Sequence, residues 1–210
     1  MTAVKICGLT NLADARWAWH CGADLLGLIL VPSSPRYLPP ERAQELARWL
    51  RDEGCRTPLV GVFAEADPQV IGETALRCGL DLAQLHAHKQ QLFSLADLPL
   101  PAIVVRRVCK EADWAAWAAP GAWAILLDRY DPARLGGSGQ TWDWALYQAP
   151  PSDGPRVILA GGLTPRNVAV AIRAVRPWGV DVSSGVEAAP GHKDPRLVEQ
   201  FIRCVREVNL

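Results

Sequence analysis

The run Val4-Lys5-Ile6-Cys7-Gly8 carries one cysteine to the end of an apolar stretch and stops at a glycine turn. A parallel strand buried along its length has little use for a polar side chain except at its carboxyl end, where alternating strand and helix folds keep their chemistry. Cys7 is therefore read as a thiol at a strand end. A second run, Ile125-Leu126-Leu127, delivers Asp128 to the equivalent place on another strand. A thiol and a carboxyl group facing one mouth can divide base and acid work between them. Each also has a plainer role, Cys7 as a small buried apolar residue and Asp128 as a turn cap. To act near neutrality Cys7 has to ionise more readily than a free thiol, whose pKa is about 8.5, so a positive neighbour is expected. Lys5 shares its face of the strand, and Asp181 on the last strand is placed to hold that lysine in the interior.

Two loops look suited to a phosphate. Val157 to Ala160 runs into Gly161-Gly162, and Val180 to Val182 runs into Ser183-Ser184-Gly185. Glycine lets backbone N–H groups approach an anion, serine adds a hydroxyl, and a following helix contributes its dipole. Either loop alone reads as an ordinary connection; together, after the last two strands, they point to a phosphorylated small molecule. Arg36 follows Ser34-Pro35, where a rigid turn can aim a guanidinium at a carboxylate. Gln84 and His86 share one face of the fourth run, and Arg106 ends the fifth; these three are expected to line the mouth in supporting roles. His88 and His192 have no companions at metal-ligand spacing, so no metal site is expected.

Eight strand-length runs must position these groups: Val4 to Cys7, Leu25 to Val31, Leu59 to Phe63, Leu82 to Leu85, Ala102 to Val105, Ala122 to Leu127, Val157 to Ala160 and Val180 to Val182. Helix-period segments lie between them. Ala43, Leu46, Ala47 and Leu50 make one apolar face, and Val168, Ala171, Ile172 and Val175 another. Asp67-Pro68, Thr164-Pro165 and Asp194-Pro195 each set a capping oxygen beside a proline fitted to open a helix. Eight such units predict an α/β fold of the (β/α)8 TIM-barrel type, one domain over residues 1–210 with short loops. An open doubly wound sheet is the structural alternative. The stretch from Asp128 to Thr141, with Gly136, Gly137 and Gly139, is the exception to the short loops and suits a mobile lid or a turn that hugs a ligand.

Acidic and basic residues balance at 22 each, which argues against nucleic acid or an anionic membrane as partner. Six cysteines without Cys-x-x-Cys spacing fit reduced thiols in a cytoplasmic protein, and no run is long enough to span a bilayer. Trp17, Trp114 and Trp117 fall on helical segments where packing accounts for them. A monomer or a homodimer is expected.

Taken in order along the chain, Lys5 to Gly8, Ser34 to Arg36, Val60 to Phe63, Gln84 to His86, Leu126 to Asp128, Ala160 to Leu163, Asp181 to Glu187 and Pro190 to Asp194 resemble the phosphoribosylanthranilate isomerase family. The resemblance spans essentially the whole chain. It implies a cofactor-free Amadori rearrangement in tryptophan biosynthesis, with Asp128 as general acid, Cys7 as base, Arg36 on the anthranilate carboxylate, and Gly161, Gly162, Ser183, Ser184 and Gly185 on phosphate. The sequence departs from the family at Gly136 to Gln140, at Ala87, and at Ala64-Glu65, where Val-Asn is common. A related ketol isomerase of histidine biosynthesis is the nearest alternative, disfavoured because its base is an aspartate. A phosphate-ligand binder without catalysis, for which Cys7 and Asp128 would be dispensable, is the second, and redox sensing through Cys7 the third.

Overall fold

The structure, a computed structural model, describes residues 1–86, 94–108, 119–129 and 154–208. Eight parallel strands close in chain order: β1 (Ala3–Cys7), β2 (Leu25–Ile29), β3 (Leu59–Ala64), β4 (Leu82–His86), β5 (Ala102–Val108), β6 (Ala124–Arg129), β7 (Arg156–Leu159) and β8 (Gly179–Val182). The ring shuts through β1 and β8, where Lys5 lies opposite Asp181. Closure removes the sheet edges and decides against the open doubly wound alternative.

Alternation along each strand divides the side chains between two cores. Leu25, Val60, Leu82, Ile103, Val105, Ala124, Leu126, Ile158 and Ala160 fill the barrel. Val4, Ile6, Leu26, Leu28, Ile125 and Leu127 point outward against helix residues such as Leu46, Leu50, Ile172 and Phe201. The helices are α1 (Leu12–His20), α2 (Pro40–Asp52), α3 (Pro68–Cys78), α4 (Val168–Val175) and α5 (Pro195–Val208). The apolar faces expected on α2 and α4 are the ones buried.

Two of the three proline helix starts hold. The Asp67 carboxylate accepts from Val70 N–H to open α3, and Asp194 accepts from Arg196 and Leu197 N–H to open α5. Thr164-Pro165 does not open a helix directly. It forms a turn in which Asn167 reaches back to Thr164 N–H and Gly162 C=O, and α4 begins three residues later than Pro165. Threonine and asparagine side chains compete with helical hydrogen bonding in this way.

After β8 a short 3-10 turn (Ser184–Val186) leads into a hairpin, β9 (Glu187–Ala189) and β10 (His192–Lys193), that precedes α5. The sequence reading did not anticipate this hairpin. The glycine-rich stretch 136–140, His88, Trp114 and Trp117 lie outside the described residues. No described helix is long and apolar enough to cross a membrane.

Candidate active site

A cavity of about 730 Å³ opens at the carboxyl ends of the strands. Cys7, from the end of β1, and Asp128, from β6, both line it, together with Gly161-Gly162 and Ser183-Ser184-Gly185 from the loops after β7 and β8. All six expected binding residues, Arg36 among them, and both expected proton-transfer residues therefore share one space. Asp128 reaches it because Ala124 and Leu126, at the same parity of β6, face inward.

Beneath the thiol, Lys5 is fully buried and its Nζ lies 2.8 Å from Asp181 Oδ1. Gly27 on β2 makes this packing possible, since an added Cβ would meet Cys7 Sγ at 2.8 Å and Lys5 Nζ at 3.1 Å. The bare α-carbon thus leaves the thiol and the ammonium side by side. Burial works against the Lys5 charge, but Asp181 and then Cys7 outweigh it and the ammonium is held above its usual range.

The thiol goes the other way from the expectation. Burial raises the Cys7 pKa more than Lys5 lowers it, and Asp181 adds to the rise, while Lys193 pulls back slightly. A positive neighbour is present, as the sequence suggested, but it is already claimed by a carboxylate, and taking the thiolate out of water costs more than the remaining attraction returns. Burial thus favours the neutral thiol over the thiolate.

Arg36 lines the same cavity from the loop after β2. Its backbone N–H donates to Ser34 Oγ at 3.1 Å, as a rigid turn requires. Its guanidinium is already engaged: Nε and Nη2 donate to the two oxygens of Glu187 at 2.8 and 2.6 Å. Lys193 Nζ donates to Glu187 Oε1 at 2.8 Å and to Ser183 C=O at 3.2 Å. Glu187 and Lys193 were not singled out from sequence. The signal available was two opposite charges flanking Pro190-Gly191, a pattern that a hairpin brings together.

Gln84, almost fully buried on the inner face of β4, donates from Nε2 to His86 Nε2 at 3.1 Å, and both line the cavity. Gln84 Oε1 and Ser183 Oγ are buried with no hydrogen-bond partner among the described residues. Buried acceptors of this kind are uncommon and costly unless something else satisfies them. Arg106 corrects the sequence reading, since it does not line the cavity. β5 runs on to Val108, and alternation sets Arg106 with Val108, which packs into the outer core, opposite Ile103 and Val105 inside. Gly161 and Gly162 take φ of 89° and 67°, a backbone that side-chain-bearing residues seldom adopt. At the rim after β3, Glu65 takes φ 54°, where asparagine is far better suited. Among the described residues no cluster of His, Cys, Asp or Glu could hold a metal.

The closed parallel barrel, with its cavity and its polar groups at the carboxyl ends of the strands, defines a TIM-barrel enzyme. Residues 4–204 match the family N-(5'phosphoribosyl)anthranilate (PRA) isomerase, and the chain belongs to that family. It is 43% identical to N-(5'-phosphoribosyl)anthranilate isomerase of Citrifermentans bemidjiense over 100% of both chains. A phosphoribosyl anthranilate isomerase from Thermus thermophilus superposes with a TM-score of 0.87 at 33% identity, covering 99% of this chain and 100% of that one. A further isomerase structure, in complex with reduced 1-(o-carboxyphenylamino)-1-deoxyribulose 5-phosphate, superposes with a TM-score of 0.78 at 32% identity over 99% and 100% of the two chains.

Proposed function

We propose that this chain carries out its family's isomerisation, of N-(5-phosphoribosyl)anthranilate to 1-(2-carboxyphenylamino)-1-deoxyribulose 5-phosphate, with Asp128 as acid and Cys7 as base. The observation that carries the assignment is that both side chains, from β6 and β1, border one cavity with the two small-residue loops lying between them around the ring. A phosphate held by Gly161-Gly162 and Ser183-Ser184-Gly185 leaves the sugar carbons between base and acid, and positioning of this kind supplies much of the rate.

Asp128 gives a proton to the ring oxygen while the amine lone pair pushes out the C1–O bond, opening the ring to a cationic Schiff base. Cys7 takes the C2 proton, and its electron pair neutralises the iminium to give an enolamine. C1 then takes up a proton and the C2 hydroxyl releases one, leaving the ketone. No external oxidant or reductant is needed. The order suits the electrostatics, because a positive iminium beside Cys7 favours the thiolate that burial alone disfavours. Lys5, backed by Asp181, supports the same ionisation.

Arg36 takes the anthranilate carboxylate with the edge that Glu187 leaves open. Gln84 Oε1 and Ser183 Oγ, buried with no hydrogen-bond partner among the described residues, are suited to a sugar hydroxyl and a phosphate oxygen. Loss of the substrate's aryl-amine fluorescence on adding purified protein, absent with Cys7→Ala, is the expected result. Full turnover by Cys7→Ala or Asp128→Ala would instead remove that residue from the chemistry, ligand binding with no turnover by the unaltered protein would establish a binding protein, and comparable turnover of the histidine-pathway substrate would move the assignment to that isomerase.

A further inference from the structure

The cluster on the Arg36 side of the cavity has two cations for one anion. Arg36 and Lys193 both donate to Glu187, at distances of 2.6 to 2.8 Å, and their side chains are 12%, 1% and 4% exposed in the order Arg36, Lys193, Glu187. Its formal charge is therefore +1 in a space largely closed to water. The neighbouring Lys5–Asp181 pair is neutral and contributes no counterion. Without Lys193, Arg36 and Glu187 would form a closed neutral pair facing the ligand. With it, Glu187 is shared, and among the described residues of the cluster one positive charge is left in excess on the wall beside the thiol.

The location of that charge is fixed by Gly8. A Cβ there would meet Arg36 Cδ at 2.7 Å and Ser183 Oγ at 2.9 Å, so the arginine stem lies across the end of β1, directly after Cys7. Lys193 Nζ is tied to the Ser183 carbonyl at the other side of the same point. Burial lowers the Lys193 pKa, Glu187 and then Cys7 oppose the change, and repulsion from Arg36 adds the smallest contribution.

We propose that Lys193, acting through Glu187, is the residue that gives Arg36 a net charge to offer a ligand carboxylate, so that selectivity for a carboxylated aryl amine is set by the +1 balance of the three residues. The inference rests on the reading of Arg36 given above and deepens it. Lys193 and Glu187 are positioning residues, not catalytic ones, since they work through Arg36.

The test compares two stable ligands by calorimetry: reduced 1-(2-carboxyphenylamino)-1-deoxyribulose 5-phosphate, and the same compound with phenyl in place of carboxyphenyl. The readout is the ratio of their dissociation constants, in which a general loss of phosphate affinity or of stability cancels. Lys193→Met should lower that ratio by about tenfold or more, Glu187→Gln should keep or raise it, and the double variant Glu187→Gln/Lys193→Met, again +1, should return it to within about threefold of the wild type. A wild-type ratio near one, or a ratio that Arg36→Met leaves intact, overturns the reading of Arg36 and the proposal with it. A normal wild-type ratio that Lys193→Met leaves within about twofold overturns the proposal alone. Should Lys193→Met not fold, the other two variants decide, and a ratio lowered by Glu187→Gln or not held by the double variant is the overturning result.

Discussion

At the amino-terminal end of the barrel, Asp24 accepts from Val4 N–H at 2.7 Å and from Arg206 at 2.8 Å, while Asp81 accepts from Leu59 N–H at 2.7 Å and from Arg51 at 2.6 Å. In each case an aspartate just ahead of one strand caps the first residues of the strand before it, and an arginine closes the cap. Arg206 also donates to the Thr2 and Gly22 carbonyls, and Arg51 to those of Cys55 and Thr57. Arg156, the first residue of β7, stacks over Trp123 and Trp178. At the carboxyl end the pattern reverses. Among the described residues, two buried acceptors go without partners, Glu187 serves two cations, and a thiol sits in low dielectric with its cationic neighbours already paired. The end that satisfies its polar groups is built for stability; the end that leaves them short has something for a ligand to complete.

The sharpest way to break this contrast is to remove the proton-transfer groups. Cys7→Ser and Asp128→Asn should each lower kcat by about a thousandfold while leaving the affinity for the reduced product within about threefold. Arg36→Ala should show the opposite split, with KM rising more than kcat falls. If either carboxyl-end variant unfolded the protein without touching kcat per folded molecule, the division between the two ends would be wrong.

Lys5→Met tests both ends of the argument at once. It leaves Asp181 without its partner, so chemical denaturation should show a loss of about 3–5 kcal/mol. It also removes the cation that lowers the Cys7 pKa, which moves the acidic limb of the kcat/KM profile to higher pH. Activity requires the thiolate, so at neutral pH the variant should be slower and should recover as pH rises. A limb that stays in place would separate Lys5 from the chemistry.

A smaller effect is expected at the other end. Asp81→Ala should cost about 1–3 kcal/mol by stranding Leu59 N–H, with kcat and KM unchanged within about twofold. Glu187 gives a pH test of the same order. Burial raises its carboxyl pKa, but hydrogen bonds from Arg36 and Lys193 outweigh this and set it below 4.5. The stability it contributes is present above that pH and lost as pH falls through the lower folded value, and Glu187→Gln should flatten this part of the acid titration.

The smallest change tests the rim. Glu65→Asn, at a left-handed backbone position, should stabilise by about 0.5–1 kcal/mol, read as a rise in the denaturation midpoint with no change in kcat.

The eight strands, the inward parity of Cys7, Asp128, Gln84 and His86, and the buried faces of α2 and α4 could be read from the chain because hydrophobic period is a local property. The Lys5–Asp181 contact followed from the same alternation once closure was assumed. Arg106 was misplaced because its face depends on where β5 ends, and α4 starts late because Asn167 pulls the Thr164 turn onto its own side chain. The need for glycine at positions 8 and 27 comes from Arg36, Cys7 and Lys5 packing against them, contacts that no local pattern shows. Sequence by itself determined which chemically capable residues stand at which strand ends. Tertiary structure decided how charged they are and what holds them. Burial and the sharing of Glu187 between Arg36 and Lys193 arise only when segments more than 150 residues apart come together, with Arg36 and Glu187 separated by 151 positions, and no local pattern records that balance.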